Sequence, residues 1–248
     1  MIITNYYNSK TSWADSILKE GLHYLNHILF GNFHCKTTNN TTKQNNGLIV
    51  YIHGLNSSTS DGNLYKRDIQ QILPNEFEIF VPNVKRKGNC SLQEAAQPIL
   101  EEIEQYIEKN PGKPIQLIGH SNGGRIAAYI ETCLREKPVH IRLTGIAGAF
   151  RGSDTLALGN YLGISKLFVP KIVQKELKTN SETAIKLMNK MKEDIKVGSR
   201  TYTFYATTND LAIPNIQSTH PNIGHHAEYV LLSHCGHSSI VSVVRPIE

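Results

Sequence analysis

Ile115-Gln-Leu-Ile-Gly-His-Ser-Asn-Gly-Gly124 is the stretch on which the fold turns. Ile115, Leu117 and Ile118 form a short apolar run of the kind needed by a strand buried on both faces. Arg125 to Glu136 then carries helix-forming residues. Between the two sits Gly119-x-Ser121-x-Gly123. A serine placed on a sharp strand-to-helix turn has its hydroxyl lifted clear of the sheet, and the flanking positions must be nearly free of side chain because strand and helix crowd there. The alternative is an ordinary glycine loop, since three fixed positions in five also occur by chance. What separates the two is whether the chain supplies a base, an orienting acid and donors for a developing negative charge.

Strand and helix patterns alternate on both sides of this stretch. Gly47 to Ile52 is a continuous apolar, β-branched-rich segment. It runs into His53-Gly54-Leu55-Asn56-Ser57-Ser58. Asp61 to Leu73 has helical character and is stopped by Pro74. Phe77 to Val81 reads as a strand stopped by Pro82, and Ser91 to Lys109 as a longer helix followed by Pro111-Gly-Lys-Pro114. After the 125–136 helix come strands at His140–Ala147, Arg200–Ala206 and Tyr229–Leu232, then a short terminal helix. Such alternation implies parallel strands joined by right-handed crossovers: an α/β chain with a doubly wound, mostly parallel sheet and its site at the carboxyl ends of the strands.

Two regions stand outside the alternation. Residues 1–46 read as an N-terminal helix over Ser12 to Phe30, with Trp13, Ile17, Leu18, Leu22, Leu25 and Leu29 near helical spacing, followed by a polar Asn- and Thr-rich loop. Residues from about 150 to 198 form an insertion into the domain that spans 47–248. Its first part, Thr155 to Val169, is apolar but broken by Gly159 and Gly163, which suits a lid over the site. Its second part, Glu182 to Lys196, reads as an amphipathic helix with Ile185, Met188, Met191 and Ile195 on its apolar side and Leu187 beside them. Lid and fixed helical cap are both open readings.

The 248 residues suffice for one sizeable core. The 40% hydrophobic and 19% charged content is that of a globular chain. A formal charge of +5, without a dense basic stripe interleaved with aromatics, argues against nucleic acid and is compatible with peripheral contact with an anionic membrane. The four cysteines, Cys35, Cys90, Cys133 and Cys235, show no C-x-x-C pattern and read as free thiols. No cleavable signal and no apolar run near 18 residues is visible, so the expected location is cytoplasmic, with signal-less secretion as an alternative. The oligomeric state is not legible.

A serine hydroxyl needs a base within hydrogen-bond reach, and that base a partner that fixes its tautomer. Ser121, Asp210 and His237 supply these in the chain order serine, acid, histidine, each directly after a strand and hence at one edge of the sheet. His237 is preferred to His234 because Gly236 before it and Ser238-Ser-Ile240 after it suit a loop entering a helix. Asp210 is preferred to Asp154, which opens the insertion, and to Asp194, which falls in a helix. The backbone N–H of Leu55, in the glycine loop, and that of Asn122, after the serine, are the candidate oxyanion donors. The other reading of Gly54 is that it merely turns the chain. His225-His226 lacks a carboxylate or thiol at matching spacing, so no metal site is expected. His53, Phe150, Leu156, Leu158 and Tyr161 are candidates for lining the substrate site.

His53-Gly54-Leu55, Gly119-His-Ser-Asn-Gly-Gly124, Asn209-Asp210 and Gly236-His237-Ser238 together resemble the lipase and serine-esterase group of the α/β-hydrolase superfamily. Ala149-Phe-Arg-Gly-Ser153, followed by Glu176-Leu177 and an amphipathic helix, is similar to the segment after the elbow in bacterial triacylglycerol lipases and lipase-like inositol deacylases. The resemblance implies the α/β-hydrolase fold and a carboxylic-ester hydrolase that works through an acyl-enzyme without a cofactor. It further implies a lipid or other hydrophobic acyl ester as substrate. Gly54 followed by Leu55 is similar to the simpler oxyanion loops and departs from the triple-glycine type. A small-molecule esterase or thioesterase, or a non-catalytic lipid- or protein-binding member of the fold, is the alternative.

Overall fold

A computed structural model describes residues 5–7, 46–57, 59, 77–155, 169–224, 227–233 and 235–244. Among the described residues seven strands form one sheet: β1 (Asn5–Tyr7), β2 (Leu48–Ile52), β3 (Glu78–Phe80), β4 (Ile115–His120), β5 (His140–Ile146), β6 (Ser199–Thr207) and β7 (Ala227–Leu232). Their spatial order is β1-β7-β6-β5-β4-β2-β3, and every neighbouring pair is parallel. The chain leaves β2 for β3 on one side and returns to β4 on the other. The carboxyl ends of β2 and β4 therefore flank the point where the winding reverses, which is where an open α/β sheet forms its crevice.

Burial on both faces explains the apolar runs. Along β2, Leu48, Val50 and Ile52 enter one buried cluster while Ile49 and Tyr51 enter a second, because alternate side chains leave a strand on opposite faces. The first cluster is covered by α1 (Leu92–Lys109) and α2 (Asn122–Cys133). α1 starts where the sequence provides a capping box. The Ser91 hydroxyl accepts from the Glu94 N–H at 3.2 Å, and the Glu94 carboxylate accepts from the Ser91 N–H at 3.1 Å. Leu92, Ala95, Ala96, Ile99, Ile103 and Tyr106 then form its buried stripe.

Helices α3 (Lys171–Leu177) and α4 (Glu182–Lys192) follow, then α5 (Ile216–Thr219) and α6 (Ile240–Val243). α4 belongs to the core layer. Its Leu187, Met188 and Met191 are buried in the first cluster, and the helix lies against α2. The apolar face runs through Ala184, Leu187, Met188 and Met191, so Ile185 falls off it and is 48% exposed. Of the expected apolar side, Leu187, Met188 and Met191 are buried and Ile195 packs on the same cluster, and only Ile185 is misplaced. The expected lid therefore narrows to the segment before α3, of which residues 156–168 lie outside the described residues, as do the expected helices over Ser12–Phe30 and Asp61–Leu73. Strand β1, within a region read as helix and loop, was not anticipated. Ile2, Ile3, Thr4, Tyr6 and Tyr7 are β-favouring residues, a signal that the reading of this region passed over.

At the amino-terminal side of the sheet, Glu131 of α2 is fully buried. It accepts from Tyr202 Oη at 3.1 Å and pairs with Arg200 Nε and Arg135 Nε, each at 3.3 Å. Arg200 also donates to the carbonyls of Leu134 and Val139 at the end of α2 and the start of β5. The charges are thus paired and the helix end is satisfied by one network.

Candidate active site

Ser121 closes β4 and caps α2 with φ 57° and ψ −124°, backbone angles that a residue with a side chain adopts only under strain. The flanking glycines are sterically required. A Cβ on Gly119 would lie 2.3 Å from the Gly123 carbonyl oxygen, and one on Gly123 would lie 2.1 Å from that of Ile52. The turn is held by Ser121 N–H donating to the Ile146 carbonyl at 3.0 Å and by the Ser121 carbonyl accepting from Gly124 N–H at 3.0 Å.

His237 Nε2 lies 2.9 Å from Ser121 Oγ, and His237 Nδ1 lies 2.9 Å from Asp210 Oδ2. With Nδ1–H donating to the carboxylate, Nε2 is left as acceptor for the serine hydroxyl. The second Asp210 oxygen accepts from the N–H groups of Ala212 and Ile213, at 3.0 and 2.7 Å. This turn fixes the carboxylate. All three residues are buried: Ser121 and Asp210 are each 4% exposed and His237 7%.

The acid loop after β6 and the histidine loop after β7 are tied to each other. Thr207 Oγ1 donates to the Cys235 carbonyl at 2.6 Å, and Asn209 Nδ2 donates to the Ser233 carbonyl at 3.0 Å. Gly236 N–H donates to Ser239 Oγ at 2.9 Å as the chain turns into α6. Asp210 and His237, 27 residues apart in sequence, are thereby held in one frame.

The glycine loop closes the other side. A Cβ on Gly54 would stand 3.0 Å from Ser121 Cβ and 3.5 Å from its Oγ, so the backbone at Gly54-Leu55 lies directly against the serine. Asn122 is the first residue of α2, whose N–H has no acceptor within its own helix. Its side-chain oxygen accepts from Arg125 Nη1 at 3.3 Å, while Arg125 Nη2 donates to the Glu176 carbonyl at 3.1 Å. Burial lowers the Arg125 pKa to about 10, opposed by the nearby Glu176 charge. The Glu176 carboxylate accepts from Leu92 N–H at 2.8 Å, which links the start of α1, the elbow helix and α3.

Of the other candidates, His53 is buried, with its Nδ1–H donating to the Gly54 carbonyl at 2.9 Å. It shapes the glycine loop from beneath. Phe150 has no exposed surface. Its ring fills the space beside Gly124, Gly145 and Gly148 and meets Phe204 edge-on at 5.0 Å. A ring enclosed in this way supports the elbow and offers no face to a substrate, a correction to its expected place in the substrate site. Leu156, Leu158 and Tyr161 lie outside the described residues, as do His225 and His226. Among the described residues no group of three or more His, Cys, Asp or Glu is placed to hold a metal, and no helix is long and apolar enough to cross a membrane.

Two features at this edge were not anticipated. His120 Nε2–H donates to the His237 carbonyl at 2.8 Å, and its ring lies 5.1 Å from the His237 ring. Nothing in the residue type announces this contact. The turn Lys85-Arg86-Lys87-Gly88 lies against the glycine loop: a Cβ on Gly88 would be 3.2 Å from Asn122 Nδ2 and 3.4 Å from Leu55 Cδ1. Here a sequence signal existed, since three cations and a glycine follow the carboxyl end of a predicted parallel strand, the edge on which the other site loops lie.

The family described as "Putative serine esterase (DUF676)" matches residues 42–203, well over half of the chain. No curated protein matches the sequence. Among solved structures, the chain is similar to one reported for the metagenome-derived lipolytic enzymes LipS and LipT, at 15% identity over 81% of this chain and 89% of the other, with a TM-score of 0.57. Est1E from Butyrivibrio proteoclasticus is similar at 14% identity over 81% and 84%, TM-score 0.57. The monoacylglycerol lipase of Paleococcus ferrophilus is similar at 15% identity over 79% and 89%, TM-score 0.52. At these identities the likeness is one of fold: the α/β-hydrolase fold of lipases and esterases.

Proposed function

The chain belongs to this serine esterase family, and from that premise we propose that it cleaves carboxylic esters through an acyl-enzyme formed on Ser121. The observation that carries the reading is the hydrogen-bonded series Asp210–His237–Ser121, both links at 2.9 Å, with the serine on a strained turn. Ser121 Oγ attacks the ester carbonyl carbon as its proton passes to His237 Nε2. Asp210 holds the ring in the tautomer that can accept that proton and offsets the charge that results. The oxygen that becomes negative is met by the N–H groups of Leu55 and Asn122, donors of a kind worth roughly 10²–10³ in rate each. His237 then protonates the departing alkoxide, and water, deprotonated by the same nitrogen, releases the acid and regenerates Ser121.

The proposed acyl group is hydrophobic. Leu55 and Val169 are partly buried beside a cluster of Ala149, Val173, Leu177, Ala212 and Ile213, and Leu211, next to the acid, is 48% exposed. The cluster itself is enclosed, and Leu55, Val169 and Leu211 are the side chains that offer an apolar chain a surface to cover.

Purified protein assayed against 4-nitrophenyl esters of graded chain length, with Ser121→Ala as control, tests the reading. Turnover and fluorophosphonate labelling are expected in the wild type and lost in the variant. Undiminished turnover by Ser121→Ala removes the proposal, and a rate maximum at acetate esters removes its hydrophobic part.

A further inference from the structure

The geometry points to an anion-recognising rim on this site: the turn Lys85-Arg86-Lys87 reads a phosphate or carboxylate carried by the ester substrate. The inference rests on the esterase reading and narrows its substrate class.

Four observations lead there. First, the turn is fixed in place relative to Ser121. Asn56 N–H donates to the Lys87 carbonyl at 2.9 Å, and Asn89 Nδ2 donates both to Asn56 Oδ1 and to the Arg86 carbonyl. Gly88 is packed on Leu55 and on the Asn122 amide, the two residues whose N–H groups face the reacting carbonyl. The three cationic side chains therefore start one, two and three residues before the glycine that packs on the proposed oxyanion site. Lysine and arginine stems are long enough to bring their charges over a substrate bound there.

Second, the backbone is unusual for those residue types. Arg86 has φ 51° and Lys87 φ 54°, followed by Gly88 at φ 80°. A turn selected for shape alone takes Gly, Asn or Asp at such positions. Consecutive long cations in the left-handed region carry strain that the surrounding structure has to hold, and strain of this kind gathers at binding and catalytic sites.

Third, the charges are available. All three side chains are exposed. Among the described residues none forms an ion pair. Glu94 lies within electrostatic reach of Lys85 and Arg86, and both Glu94 and Glu176 lie within reach of Cys90, as those two cations do. Each carboxylate, however, has an oxygen committed to the start of α1: Glu94 to the Ser91 backbone and hydroxyl, Glu176 to Leu92 N–H. Fourth, Gly88 is buried while its three predecessors are exposed. The turn is thus anchored at its glycine and presents its cations outward at the mouth of the site.

The test uses two pairs of dissolved, monomeric esters of matched length. One pair is 4-nitrophenyl hexanoate and the 4-nitrophenyl monoester of adipic acid, which places the anion on the acyl side. The other is 1-butanoylglycerol and its 3-phosphate, which places it on the alcohol side. Three cations each roughly 9 Å from one anion in a high-dielectric setting correspond to roughly tenfold in kcat/KM. The wild type is expected to prefer the anionic member of at least one pair by about that factor at low ionic strength. The preference should decline as salt is raised toward about 0.5 M. In Lys85→Gln/Arg86→Gln/Lys87→Gln, checked for folding by circular dichroism, the ratio of anionic to neutral kcat/KM should fall to near one. If that variant misfolds, the wild-type ratio and its salt dependence decide alone.

Equal kcat/KM within both pairs overturns the inference. A gain seen only when a neutral ester is presented on phosphatidylglycerol rather than phosphatidylcholine vesicles also overturns it, since it assigns the cations to a membrane surface. Turnover of neither pair by a protein that a fluorophosphonate labels overturns the substrate class and leaves a serine hydrolase. Absence of both turnover and labelling overturns the esterase reading itself.

Discussion

Replacing Asp210 by Asn isolates the part of the site that fixes the histidine tautomer. One Asp210 oxygen accepts from two backbone N–H groups, those of Ala212 and Ile213, and the other accepts from His237 Nδ1–H. An asparagine has one oxygen and one NH₂ for those two places. Turning the NH₂ toward Ala212 and Ile213 would set a donor against two buried donors, so the oxygen keeps that position and the NH₂ faces His237. The ring must then accept at Nδ1 and carry its proton on Nε2, 2.9 Å from Ser121 Oγ. A protonated Nε2 cannot take the hydroxyl proton. An asparagine that imposes the wrong tautomer in this way costs roughly 10⁴ in kcat, about 5 kcal/mol of transition-state stabilisation. Because Asn is isosteric and retains the backbone bonds, urea unfolding should shift by no more than about 1–2 kcal/mol. The assay is steady-state hydrolysis of the best 4-nitrophenyl ester, with KM expected near the wild-type value because Asp210 does not face the substrate. A folded Asp210→Asn protein retaining kcat within about tenfold of wild type would refute the assigned role.

Ser121→Gly should raise stability while abolishing turnover: relief of strain worth roughly 1–3 kcal/mol outweighs the added chain entropy of glycine, about 0.5–1 kcal/mol. A fall in the urea midpoint would argue against strain at the elbow. Glu131→Ala, which leaves the buried Arg200 cation without its carboxylate, should cost about 3–5 kcal/mol in urea unfolding. A loss under about 1 kcal/mol would show that the carbonyls of Leu134 and Val139 suffice for it. His220 is buried, and burial lowers its pKa from the ordinary 6.5, against the opposing carbonyls of Val230 and Phe204. The unfolded chain therefore binds the proton more readily, so stability is full above about pH 6.5 and is lost as pH falls below it. His220→Gln should flatten this acid limb in urea titrations at successive pH values. An unchanged limb would place the titration elsewhere.

Much of this was legible because each signal is local. The glycines at 119 and 123 mark a crossing where a Cβ would meet backbone, and the apolar runs of β2 and β4 mark strands covered on both faces. Ser91 with Glu94 fixes the start of α1 to within a residue. Ile185 was misplaced because it stands three residues before Met188, a spacing that fits the stripe as well as that of Ala184 to Leu187 or Met188. Only the contact with α2 shows that Ala184, and not Ile185, completes the buried stripe through Leu187, Met188 and Met191. Phe150 was misassigned for a related reason. An aromatic residue in a loop after a strand reads as exposed until the glycines at 124, 145 and 148 are seen to leave a space that its ring fills.

By itself, the sequence determined the elbow, the order serine–acid–histidine and the parallel alternation that sends each of these residues to one sheet edge, since period, turn chemistry and chain order are properties of neighbouring residues. The tertiary structure alone decided that His237 reaches both Asp210 and Ser121, that His120 braces its carbonyl, and that the turn Lys85-Arg86-Lys87-Gly88 packs on the glycine loop and on Asn122. Those contacts join residues far apart in the chain. They depend on strand register and on how loops from different strands pack, which no local pattern encodes.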